Sequence, residues 1–110
     1  MTTKWDDVDK LREVLKSYLS DGYPTARLAA EVMDVSERTL ARRLSAHGLT
    51  YGKLVDQVRF EVAKKLLQKP DARIGDAARS VGFESQGNFT RMFRRVGGLN
   101  PKEFRKATRQ

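Results

Sequence analysis

The stretch richest in recognition chemistry is SQGNFTR, Ser85 to Arg91. Gln86, Asn88 and Arg91 bring amide and guanidinium groups within six residues, and these are the groups that pair with adenine and guanine in a major groove. They act together only if a helix start holds them outward. Ser85 is a good N-cap type, and Phe89, Met92, Phe93 and Val96 recur at helical spacing as an apolar face, leaving Gln86, Gly87, Asn88 and Arg91 outward at the N-terminal end. The residues before it suit a partner helix. Ala77 and Ala78 are small enough for close approach, Gly82 supplies a turn position where positive φ is cheap, and Phe83 drops between the helices. This is the outline of a helix-turn-helix over 74–97. Asn100, Pro101 and Glu103 then predict a capped closing helix over 101–107.

The pattern occurs twice. Ala30 matches Ala78 and Val35 matches Phe83 at an offset of 48. Ser36, Leu40, Arg42 and Leu44 match Ser85, Phe89, Arg91 and Phe93 at 49. A register held over so short a chain indicates two copies of one supersecondary unit, the first over 25–48. In the first copy Asp34 stands at the turn, one of the few non-glycine residues that tolerate left-handed geometry. Ser36 caps the second helix, Glu37 suits its positive end, and Arg38, Ala41, Arg42 and Arg43 lie on or beside its outward face.

The remaining segments read as scaffold. Trp5, Val8, Leu11, Leu15, Tyr18 and Leu19 make an amphipathic first helix that Asp21, Gly22, Tyr23 and Pro24 end, with Thr25 starting the next. Trp5 is read as core or a domain contact rather than a platform for stacking a base. Between the units, 51–68 has no proline and keeps Leu54, Val55, Val58, Ala63, Leu66 and Leu67 at helical spacing. Such a connector spans roughly 27 Å at ~1.5 Å per residue, comparable to the ~34 Å between successive major-groove faces on one side of B-DNA. Arg73 is a poor cap for the helix that follows.

Charge points the same way. The chain of 110 residues, one domain by size, carries a net +8, divided as −2 over 1–35, +5 over 36–69 and +5 over 70–110. The surplus begins at the first candidate recognition helix, which favours a polyanion partner. Arg43, Lys64, Lys65, Arg94, Arg95, Lys102, Arg105 and Lys106 are collective candidates for phosphates, although charge runs are commonly just solvated faces.

Other chemistries are excluded or poorly supported. With no cysteine and only His47, a disulfide framework is ruled out and a structural zinc site is implausible. His47, beside Gly48, reads as a C-terminal capping or dipole-compensating residue. Met33 and Met92 read as core filler, and Asp6, Asp7 and Asp9 suit a helix dipole better than a metal. No Gly-rich phosphate loop, nucleophile elbow or supported carboxylate pair is present, so neither an enzyme nor a cofactor is expected. No apolar run approaches a membrane span.

The run Ile74, Ala77, Ala78, Val81, Gly82, Phe83, Ser85, Phe89, Arg91, Phe93, Gly98, Pro101, Phe104, Arg105 resembles the signature of the AraC/XylS family of bacterial transcription regulators. The resemblance extends from about Leu11 to Arg105 and implies an all-α domain of about seven helices, with two helix-turn-helix units on a linker helix. It also implies sequence-specific binding of double-stranded DNA, in the cytoplasm on the bacterial nucleoid. Matched to the family motif, Arg38, Ala41 and Arg42 occupy base-facing positions beside Gln86, Gly87, Asn88 and Arg91. Ala41 and Gly87 depart from polar readers, so discrimination is expected to rest on the other five. Ser36, Thr39, Arg43, Ser85, Thr90, Arg94, Arg95 and Lys102 are the expected phosphate contacts. Arg59, at a familiar linker position, is expected to be an interior or salt-bridge residue. RNA polymerase is a further partner the resemblance implies, and a helical interaction module with only non-specific DNA affinity is the alternative reading. Most members carry an effector-binding and dimerisation domain before this one and a minority are complete at this length; the apolar Trp5, Val8 and Tyr18 of the first helix favour a fragment from which that domain is missing over a stand-alone regulator.

Overall fold

The fold is built around one long helix buried along much of its length. In the computed structural model, which describes the backbone of residues 4–108 and the side chains of residues 8–108, this helix is Tyr51–Leu67. Thr50 caps it, its hydroxyl accepting from the Lys53 N–H at 3.2 Å. Leu54, Val55, Val58, Ala63 and Leu67 are all buried, on more than one side of the helix. A helix buried on more than one side needs more than one partner.

Those partners precede and follow it. The described chain runs α1 (Lys4–Lys16), a 3-10 turn (Leu19–Asp21), α2 (Ala26–Val32), α3 (Glu37–Ser45), α4 (Tyr51–Leu67), α5 (Ile74–Ser80), α6 (Gln86–Gly97) and α7 (Pro101–Thr108). Helix α1 packs on α4, α5 and α6 pack on it too, and α2 pairs with α3 as α5 pairs with α6. The described residues contain no strand, so the architecture is two helix-turn-helix units on a linker helix.

The two units share their turn geometry. In the first, the Val35 N–H donates to the Ala30 carbonyl at 3.0 Å; in the second, the Phe83 N–H donates to the Ala78 carbonyl at 2.9 Å. The left-handed residue inside each turn is Asp34 at φ 57° and Gly82 at φ 87°. Their cores differ. The first unit has only alanines and leucines of its own (Ala29, Ala30, Leu40, Leu44), and Val8 and Leu11 of α1 line a crevice with Met33, Val35, Leu40 and Leu44. The second has a run of rings, with centroids 5.7 Å apart for Phe83 and Phe89, 5.8 Å for Phe89 and Phe93, and 5.5 Å for Phe93 and Phe104. Such pairs add about 0.5–1.5 kcal/mol each beyond their burial.

Two expectations need correction. The first helix stops at Lys16, earlier than Asp21, because the Ser17 hydroxyl donates to the Val14 carbonyl at 2.8 Å and the chain tightens into the 3-10 turn. Leu19 stays buried in that turn. Val96 is 37% exposed, not part of the apolar face. The row that faces α4 is Phe89, Phe93 and Gly97, and a Cβ at Gly97 would lie 2.3 Å from Phe60 Cε1, so the last turn of α6 approaches α4 through the residue without a side chain. Arg59 meets the expectation of an interior residue, being 6% exposed. Its guanidinium carbon lies 4.1 Å from the Phe83 ring centroid and 4.9 Å from that of Tyr23, and its Nε makes no hydrogen bond. Burial pushes its pKa down, while Asp56 and Tyr23 act in the opposite direction. The expected role of Trp5, and the dipole reading of Asp6 and Asp7, concern side chains outside the described residues.

Gly82 makes the tightest approach to backbone of any glycine in the chain. A Cβ there would sit 2.5 Å from the Leu19 carbonyl oxygen and 2.8 Å from that of Gly22, both backbone atoms that cannot turn aside. Gly82→Ala combines this clash with a forbidden φ, and is expected to destabilise the chain by about 2–4 kcal/mol. An unfolding free energy, measured in urea, that falls by less than about 1 kcal/mol would mean that the 3-10 turn yields.

Tyr51 supplies a second test. Its hydroxyl donates to the Pro24 carbonyl at 2.6 Å, and burial, with a smaller contribution from Tyr23, pushes its pKa up to about 12. The folded state thus favours the neutral phenol. The stability this contributes is complete below the unfolded value of about 10, and lost as pH rises toward the folded one. Denaturation from neutral to alkaline pH should show wild type losing more stability than Tyr51→Phe across that window, with the variant lower by about 1 kcal/mol at neutral pH. Parallel curves would refute it.

Candidate nucleic-acid interface

Helices α3 and α6 open in the same way. Ser36 Oγ accepts from the Thr39 N–H at 3.1 Å, and Ser85 Oγ accepts from the Asn88 N–H at 3.2 Å. Each cap satisfies one of the orphan donors, and the remaining N–H groups keep the helix start electropositive. Around these ends stand the residues expected from sequence. Arg38, Ala41 and Arg42 are exposed on α3, as are Gln86, Gly87, Asn88 and Arg91 on α6, while Leu40, Leu44, Phe89, Met92 and Phe93 are buried behind them.

The exposed side chains are not all alike. Gln86 leans back over α5: a Cβ at Gly75 would lie 3.3 Å from Gln86 Oε1 and 3.6 Å from Arg79 Nη1. Arg79 in turn donates to Asp76 of its own helix. Arg91 donates to the Asn88 side-chain oxygen. At Gly87 the helix surface is flat, leaving the backbone open to close approach.

The candidates for phosphate contact are differently placed. Ser36, Thr39 and Ser85 are occupied with the caps, Ser36 Oγ also donating to Thr39 Oγ1 at 3.0 Å. Thr90 and Arg43 are half-buried, whereas Arg94 is exposed. Arg95, 63% exposed in its side chain, donates to Asp56 of α4 at 2.6 Å, tying the far end of α6 to the linker. Sequence reasoning could not see that tie, because its partners are 39 residues apart. Lys102 lines an open cleft of about 480 Å³ with Ile74, Arg105 and Lys106. Its helix is capped on both sides of the boundary: Glu103 N–H donates to Asn100 Oδ1 at 2.7 Å, and Asn100 N–H donates to Glu103 Oε1 at 3.0 Å.

His47 does not cap with its outer nitrogen, since Nε2 is buried without a hydrogen-bond partner. Among the described residues no group of His, Cys, Asp and Glu could hold a metal ion, and no helix is long and apolar enough to cross a membrane. The molecule measures 42 × 25 × 21 Å, so its long axis exceeds the ~34 Å turn of B-DNA.

Comparison with known proteins gives this geometry its context. A helix-turn-helix domain family matches residues 29–107. The transcriptional regulator VqsM of Pseudomonas aeruginosa is 32% identical over 84% of this chain and 29% of its own length. The structure of the transcriptional regulator CdpR, also from Pseudomonas aeruginosa, superposes with a TM-score of 0.79 at 32% identity, covering 91% of this chain and 31% of that one. The DNA-binding domain of the global transcriptional factor AdpA, solved in complex with a target DNA, gives a TM-score of 0.78 at 25% identity, covering 93% of this chain and 92% of that one. The chain spans about a third of the length of the curated relatives it matches, 29% and 36% for the first two. On the paired turns, the capped exposed helices and these likenesses, the chain belongs to the AraC family of helix-turn-helix domains found in bacterial transcription regulators.

Proposed function

We propose that the chain binds double-stranded DNA sequence-specifically, with α3 and α6 entering successive major-groove segments on one side of the duplex. The observation that carries this is the duplication itself: two helix starts, each capped by serine, each exposing arginine, borne on one linker helix in a body 42 Å long. A single such start is common; two in register are a bipartite reader. The likeness to the AdpA domain, itself bound to a target DNA, supports the reading.

In this reading 25–48 and 74–97 are the two reading units, 51–68 the linker and 101–107 the closing helix. Arg38, Ala41 and Arg42 face bases in one element, and Gln86, Gly87, Asn88 and Arg91 in the other. Ala41 contributes a methyl contact at most, suited to thymine. Ser36, Thr39, Arg43, Ser85, Thr90, Arg94, Arg95 and Lys102 meet the phosphates; Arg95, with one arm on Asp56, keeps other N–H donors for them. The role is regulatory, non-catalytic and cytoplasmic.

Selection from random duplex DNA by the purified chain should recover a site with two elements about one helical turn apart. Arg42→Ala should weaken recognition of one element and Arg91→Ala of the other, each by about 1–3 kcal/mol. Lys102→Ala should weaken binding to all sequences alike and lower the salt slope by about one. No enrichment, with weak binding that vanishes at physiological salt, would refute the reading.

A further inference from the structure

One turn into α6, Arg91 donates from Nη2 to Asn88 Oδ1. Asn88 is itself fixed by its backbone N–H on Ser85 Oγ at 3.2 Å. A guanidinium has five N–H donors and no acceptor, so the amide must turn its oxygen to Arg91 and is left with its NH2 to offer elsewhere. Both side chains are exposed at the helix start. What the pair has left to present to a groove is therefore mainly donors.

The four bases answer a donor face differently. Guanine shows two neighbouring acceptors, N7 and O6; adenine shows N7 beside an N6 donor, thymine one acceptor beside a methyl, and cytosine a donor. Bidentate reading of adenine by Asn88 would require Oδ1 to accept from N6 in the plane of the base, and Arg91 already takes one of that oxygen's two lone pairs and turns the amide toward itself.

We propose, resting on the DNA-binding reading above, that Asn88 is a positioning residue that aims Arg91 at guanine in the second element and does not itself read adenine. The first unit provides an internal comparison. Arg42 corresponds to Arg91 and Thr39 to Asn88 at the same offset of 49. Thr39 has no amide oxygen, and its hydroxyl oxygen accepts from Ser36 Oγ at 3.0 Å. Arg42 is thus not held by the residue one turn before it, and the base it meets is less sharply specified than the guanine under Arg91.

The test titrates the selected duplex and its single-base variants with wild type, Arg91→Ala, Asn88→Ala and Asn88→Asp. Arg91→Ala should lose about tenfold of the preference for guanine at one base pair of the second element. Asn88→Ala should lose roughly threefold to tenfold at that same base pair, while the base preferences of the first element, read by the other unit, stay as in wild type, which a folding defect would not spare. Asn88→Asp should keep the guanine preference as a ratio, because a carboxylate still holds the guanidinium although it offers no N–H to a base. Loss of an adenine preference at another base pair in both Asn88 variants would overturn the proposal, as would a guanine preference indifferent to Asn88→Ala. A wild type that selects no sequence would remove the DNA-binding reading, and this proposal with it.

Discussion

The seating of Gly82 on the Leu19 and Gly22 carbonyls is the constraint on which the geometry of the molecule turns. There the turn of the second unit lies against backbone from the N-terminal segment, at a distance only glycine permits. Beside it Arg59 of the linker spreads its guanidinium over Phe83 of that unit and Tyr23 of the segment before the first. Contacts of this kind are worth about 0.5–2 kcal/mol each, and Arg suits a half-dry site because its guanidinium is weakly hydrated. Three stretches distant in sequence are thereby fixed at one place.

From the junction outward, rigidity is distributed unequally. The second unit is anchored by rings, by the close approach of Gly97 to Phe60, and by the Arg95–Asp56 pair across to α4. The surface ion pair adds little by itself in water, so the packing is the larger effect and the pair sets orientation. The first unit, with small aliphatic side chains, borrows its packing from Val8 and Leu11 of α1. Helix α1 is accordingly structural, completing a core that α2 and α3 are too short to close. A bipartite reader needs both units held on one connector, since the second contact gains from the first only if its position is already set.

Much of the recognition surface was legible in residue order. The serine caps at Ser36 and Ser85, the turn at Asp34 and Gly82 and the reciprocal cap of Asn100 with Glu103 all depend on bonds within a few residues, which residue type and spacing decide. The Asn88–Arg91 bond was within reach of the same reasoning, being an i, i+3 pair on one helix. The backward lean of Gln86 was not, since it depends on the neighbouring Gly75 and Arg79.

The sequence by itself determined the helices, their caps and the repeated unit, because each rests on local hydrogen bonding and on the periodic burial of one face. The basic charge that rises with the first recognition helix was likewise countable without coordinates. Only the tertiary structure decided how the units stand to one another. Gly82 against Leu19, Gly97 against Phe60, Arg95 with Asp56 and Arg59 over two rings join residues far apart in the chain, where no spacing rule reaches and steric fit chooses the partner. The same fit turned Val96 outward and chose the two rings on which the interior Arg59 stacks.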